Sequence, residues 1–166
     1  RSASQVFLRG KGLTARELDA IAAELSCNAH LELLDLAGNG FGADGAGAVA
    51  QVLSSCSTVE VLILGNNNLR AGAVGIAEAA SAHPRLRRLR MPANVIGPSP
   101  GQAVAAAVAR ARGLEDLDLS SNAFGPTGGA ARAGAVAASA RRRLGVTACG
   151  VGRAGAAALA AALSGG

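Results

Sequence analysis

The sequence predicts an α/β solenoid of about six short units, each a β-strand followed by a return helix, with the strands joined in one parallel sheet. Three observations predict it. First, one pattern recurs as LELLDLAGNGF (31–41), VEVLILGNNNL (59–69), LRRLRMPANVI (86–96) and LEDLDLSSNAF (114–124). Second, the frame extends to Val6, Leu8, Lys11 and Leu13 at one end and to Leu144, Val146, Cys149 and Val151 at the other. The central strand residue thus steps from Leu8 to Leu36, Leu64, Met91, Leu119 and Val146, with a period of 28 or 27 residues. A fixed period of this length is the signature of a stacked array. Third, 40 of the 166 residues are alanine and 23 glycine, with 3 Phe and no Trp or Tyr. That composition excludes a thick aromatic core and favours thin, closely packed layers.

Each element follows from the local pattern. Alternating apolar residues at LxL place side chains two apart on one face of a pleat, which makes a short strand. The chain then turns at Gly42, Gly97, Gly125 or Gly152, and helical spacing follows in AGAVAQVLSS (46–55), AVGIAEAASA (73–82) and AVAAAVARA (103–111). Alanine is the best helix former, and its small side chain lets neighbouring helices stack closely. The units lie near 3–30, 31–58, 59–85, 86–113, 114–140 and 141–166 and form a single domain. Each buries its apolar face only against its neighbours, so stability is a sum of nearest-neighbour interfaces.

Asn39, Asn67, Asn94 and Asn122 fall where each strand ends and the backbone leaves the sheet. Their carboxamides are suited to the backbone groups stranded there, which predicts a structural ladder of buried amides. Cys149 occupies the same position in the last unit as a small, weak donor. Lys11 in the first unit does not fit, and predicts an irregular unit or a solvated turn.

The motif LxxLxLxxNxLGxxG, with its following helix, covers residues 3–163 and resembles the ribonuclease-inhibitor-like class of leucine-rich repeats, found also in NOD-like immune receptors and the Ran GTPase-activating protein. The resemblance implies a right-handed horseshoe with its parallel sheet on the concave side and helices outside. It is specific for fold and says little about function.

Several segments resemble enzyme motifs, and none leads to a catalytic, cofactor or metal site. Gly40–Gly45 reads GxGxxG between a strand and a helix, as a dinucleotide site requires. The same glycines recur at Gly150, Gly152 and Gly155, however, so they belong to the repeat, and Gly65 and Asn66 stand where a ribose-binding acid is needed. Gly97–Gly101 reads GxSxG, but Pro100 follows Ser99 and has no N–H for an oxyanion, and both His30 and His83 precede the serine; a rigid loop is the simpler expectation. The two histidines lie in loops ahead of strands, where exposed histidines are common. Cys27, Cys56 and Cys149 form no CxxC pair and an odd number, which argues against a disulfide framework or a zinc site and for a reducing, intracellular setting, cytoplasmic first. Cys27 and Cys56 are expected to pack as small apolar groups. A processed segment ahead of Arg1 would leave an organelle open as well.

No apolar run reaches the roughly 18 residues that span a bilayer. Residues 1–80 carry eight acids and five bases, and residues 81–166 three acids and eleven bases. The cluster Arg85, Arg87, Arg88, Arg90 with Arg141–Arg143 raises the possibility of RNA binding. No aromatic is interleaved for base stacking, however, and Glu115, Asp116 and Asp118 intervene, which argues against nucleic acid.

The residues between the motif leucines point to the concave side: Gln5, Phe7; Leu33, Asp35; Val61, Ile63; Arg88, Arg90; Asp116, Asp118; Arg143, Gly145. Phe7, Leu33, Val61 and Ile63 form an apolar patch of the kind that marks a partner surface. Arg88 beside Asp116 and Arg90 beside Asp118 are placed to pair across the sheet. The expectation is a non-enzymatic module or scaffold without cofactor or small-molecule substrate, binding a protein through Phe7, Leu33, Asp35, Val61, Ile63, Arg88, Arg90, Asp116, Asp118 and Arg143. One alternative is an accessory subunit of a large complex, packed through its convex helices or the loop at Pro98–Pro100. GTPase activation is implied only by the resemblance, and neither tyrosine nor polar loop tips support it. The final helix, AGAAALAAALS (154–164), lacks a polar cap, which predicts that the chain continues or that another subunit covers this end.

Overall fold

The alternating segments form six strands, β1 (Gln5–Phe7), β2 (Leu33–Asp35), β3 (Val61–Ile63), β4 (Arg88–Arg90), β5 (Asp116–Asp118) and β6 (Arg143–Gly145). The computed structural model describes residues 3–125, 143–145, 147, 149, 150 and 157. The strands make one parallel sheet in sequence order, and each pairs its equivalent positions: Val6 with Leu34, Leu34 with Leu62, Leu62 with Leu89, Leu89 with Leu117 and Leu117 with Leu144. Strands this short are stable only because Leu34, Leu62, Leu89 and Leu117 are buried beneath them. The expected return helix after Gly125 and the final helix lie outside the described residues.

Among the described residues, four helices cover the apolar side: α1 (Ala15–Leu25), α2 (Ala46–Ser55), α3 (Ala73–Ala82) and α4 (Pro98–Arg110), with a 3-10 turn at Arg70–Gly72 leading into α3. Each packs on the next in order. Buried Ala46, Ala48, Ala73, Ala77, Ala105 and Ala107 keep them close to one another, while Val49, Val52, Ile76, Val104 and Val108 reach the sheet leucines in one core. The bounds of α2 and α3 are those the helical spacing predicts.

One helix differs from expectation. α4 begins at Pro98, so the segment expected to be a rigid loop is its first turn. Gly97 is the extended N-cap and Pro98 the first helical residue, where proline's missing N–H costs nothing and its fixed φ suits the helix. Gly101 stays in that turn because a Cβ there would lie 2.0 Å from Phe124 Cδ1. α1 is the return helix expected ahead of Cys27, and its start, for which no bound was predicted, is written in the sequence as Thr14-x-x-Glu17. The Glu17 N–H donates to Thr14 Oγ1, and the Thr14 N–H donates to Glu17 Oε2 at 2.8 Å, a complete capping box.

At the strand ends the asparagines act across units. Asn67 donates from Nδ2 to the Leu36 and Leu64 carbonyls, and its Oδ1 accepts the N–H groups of Asn39 and Gly40. Asn94 serves Leu64, Asn67 and Leu69 in the same way, and Asn122 serves Met91, Asn94 and Ile96. Asn39 does so for the first unit, accepting from Lys11 N–H at 2.9 Å and donating to Leu8 O. Each side chain therefore holds the loop of the unit before it. Lys11 is exposed and enters this network through its backbone N–H. The thiol of Cys149 donates to Leu119 O at 3.3 Å.

Candidate functional site

The face of the sheet turned away from the helices carries two rows in register. One runs Gln5, Leu33, Val61, Arg88, Asp116, Arg143, and the other Phe7, Asp35, Ile63, Arg90, Asp118, Gly145. The rows divide into two halves. Over β1–β3, Phe7 is 60 % exposed, and Leu33, Val61 and Ile63 are half-buried. Asp35 sits among them but is buried, its Oδ1 accepting the Ala37 N–H at 2.9 Å. It is therefore committed to the strand's own turn and is not a free polar contact.

Over β4–β6 the register and the Arg88–Asp116 pair are as expected, but Arg90 does not pair with Asp118. Arg88 Nε and Arg90 Nη2 both lie 2.9 Å from one oxygen, Asp116 Oδ2. Asp118, opposite Arg90, instead accepts the Ser120 N–H on Oδ1 at 3.0 Å. Asp118 thus repeats the local turn of Asp35, and that short-range bond competes successfully for its carboxylate. Asp116 has no such turn and is buried between the two guanidinium groups. At the strand entrances, Arg85 pairs with Glu60 and Arg87 with Glu115, each at 3.4 Å. Every arginine of the 85–90 cluster is thus opposed by an acid from a neighbouring unit. Exposed Arg143 aligns with Asp116 on the far side.

The sequence matches a family model for the leucine-rich repeat over residues 27–50 and 113–131. The chain carries leucine-rich repeats. Among solved structures the chain is similar to one titled leiomodin-1 actin-binding site 2, with 22 % identity over 69 % of this chain and 68 % of that one and a TM-score of 0.64. It is also similar to the tropomodulin C-terminal domain of Caenorhabditis elegans, with 9 % identity over 97 % of this chain and 82 % of that one and a TM-score of 0.55. At these identities the likeness is one of fold. No curated protein matches the sequence.

The repeat also accounts for the histidines and cysteines. His30 is exposed, but His83 is buried, contrary to its expected place among exposed loop residues. Its Nδ1 accepts the N–H groups of Arg85 and Leu86, and its Nε2 lies 3.0 Å from Cys56 O. Two N–H donors on Nδ1 leave Nε2 as the protonated nitrogen, donating to the preceding unit. Asn28, one position in the frame, does the same with Ala3 O and His30 N–H. The Cys56 thiol reaches back to Leu25 O at 2.9 Å, and burial, with the neighbouring Cys27 behind it, pushes that thiol's pKa up. A buried thiol with a raised pKa forms less of the reactive thiolate, whereas Cys27 is exposed. These ties, one period apart, form a partial second ladder at the strand entrances, and the side chains that make it (amide, thiol, imidazole) share no obvious sequence signal. Among the described residues, no cluster of His, Cys, Asp and Glu is arranged to hold a metal ion, and no helix is long and apolar enough to cross a membrane.

Proposed function

We propose that the chain is a non-enzymatic protein-interaction module, a right-handed horseshoe of six repeats of the ribonuclease-inhibitor-like class working inside the cell. It takes a protein partner on the concave sheet. The observation that carries this is the apolar half of that face. Phe7 is 60 % exposed, and Leu33, Val61 and Ile63 continue from it across three strands in one register. Desolvated apolar anchors carry most interface energy, so these four residues form the centre of the contact, with Arg88, Arg90 and Arg143 at its charged side. Arg85, Arg87, Arg88 and Arg90 favour protein over RNA, because each lies against Glu60, Glu115 or Asp116.

Cross-linking in native material, followed by mapping of the linked residues, tests the assignment. Links are expected around β1–β4, and the double variant Val61→Asp, Ile63→Asp is expected to lose the partner while keeping its helical circular dichroism. Links confined to the outer helices or to Pro98–Pro100, with binding retained by the double variant, would instead establish a structural subunit packed through its convex side. Co-sedimentation with filamentous actin measures whether the actin binding named for the leiomodin-1 structure extends to this chain.

A further inference from the structure

The charged half of the sheet is not electrostatically complete. Asp116 Oδ2 alone receives both Arg88 Nε and Arg90 Nη2, while Arg90 Nε is buried with no acceptor among the described residues. Asp118 accepts the Ser120 N–H on Oδ1, and Arg143 adds a third guanidinium to the depression that Asp116 and Asp118 line. Three guanidinium groups thus face two carboxylates, and Arg90 Nε is left without an acceptor from either. They surround an open depression of about 380 Å³ lined by Arg90, Asp116, Asp118, Arg143 and Gly145. Gly145 keeps it open, since a Cβ there would lie 2.4 Å from Asp118 Oδ1.

We propose that this notch is a carboxylate subsite, filled by an acidic side chain of the protein partner. The inference rests on the concave face being the binding surface. A second carboxylate between Arg90 and Arg143 lets Arg90 turn its Nε and one Nη side by side onto it, the bidentate geometry that guanidinium groups favour. Asp116 is then left to Arg88. The site's neighbours place a further condition on the partner. Ile63 lies in the same row as Arg90, Asp118 and Gly145, with strands about 4.8 Å apart, so the acidic group must sit roughly 10 Å from the apolar residue that covers Ile63. A partner surface pairing an apolar anchor with an Asp or Glu at that distance fits both halves at once.

The arginine Nε–Hε resonances of the labelled protein provide the test, in a titration with N-acetylglutamate amide at constant ionic strength against sodium chloride. Saturable shifts are expected at Arg90 and Arg143, with only weak, linear drifts at Arg85 and Arg87, whose acids lie at the strand entrances. Asp116→Asn removes the internal competitor and is expected to tighten the carboxylate several-fold, whereas Gly145→Ala closes the notch and is expected to abolish the saturable shift. Equal linear drifts at all four arginines, or an unchanged affinity in Asp116→Asn, would overturn the subsite. Because the probe has no apolar anchor, that result would leave the Val61/Ile63 experiment to judge the binding face separately.

Discussion

The loops after β2 and β4 trace the same path on different residues. Gly38 and Gly40 flank Asn39 at φ values of 72° and 71°, whereas Ala93 and Val95 flank Asn94 at 53° and 55°. Glycine enters the left-handed region freely, but alanine and especially a β-branched valine pay about 1–2 kcal/mol there. The β4 loop adopts the conformation regardless, because Asn122 Oδ1 accepts the Asn94 and Ile96 N–H groups and Ser120 O accepts that of Ala93. The difference teaches that the next unit imposes the turn. Local residue preference only lowers its cost.

The largest expected effect comes from removing that imposition. Asn67→Ala strips the acceptor from the N–H groups of Asn39 and Gly40, while the Leu36 and Leu64 carbonyls keep a second donor from Asn39 and Asn94. A loss of about 2–3 kcal/mol is expected in denaturant melts. Lys11→Ala, whose side chain holds no earlier loop, is expected to stay within about 0.5 kcal/mol. Similar melts for the two variants would refute the cross-unit role.

Exchanging residues between the loops sharpens the comparison. Val95 is 56 % exposed, so Val95→Gly loses little packing and relieves strain, and a gain of about 1 kcal/mol is expected. Gly40→Val, with nothing within 4 Å of the added Cβ, is expected to cost about as much in the same melts. Opposite signs would confirm that strain is stored in the β4 loop, and equal signs would deny it.

The smallest effect lies outside the loops, at the start of α1. The Thr14 backbone N–H, then the Thr14 hydroxyl, holds the Glu17 carboxyl below its ordinary pKa of 4.5. A depressed carboxylate stabilises the fold above its unfolded pKa and loses that contribution as pH falls through the folded value. Protection of the first-turn amides of α1, taken as exchange relative to the intrinsic rate at each pH, is therefore expected to fall on acidification through that range, and Glu17→Gln is expected to remove the dependence.

Much of this architecture was legible in the repeat itself. The period identified every strand, the buried leucines, the register of the two outward rows and the bounds of α2 and α3, because which side chains face inward follows from alternation and spacing along a few neighbouring residues. Overlooked signals were also local, such as Thr14-x-x-Glu17 at the start of α1 and Pro98 as a helix-starting residue. What only the tertiary structure decided is where each polar side chain turns. Asp118 and Asp116 occupy adjacent outward positions of one strand, yet the first is taken by its own turn and the second by two arginines of the neighbouring strand. His83 is buried through a carbonyl 27 residues earlier. Such choices are competitions between a nearby N–H and a partner one repeat away, and their outcome depends on distances that exist only once the units have stacked.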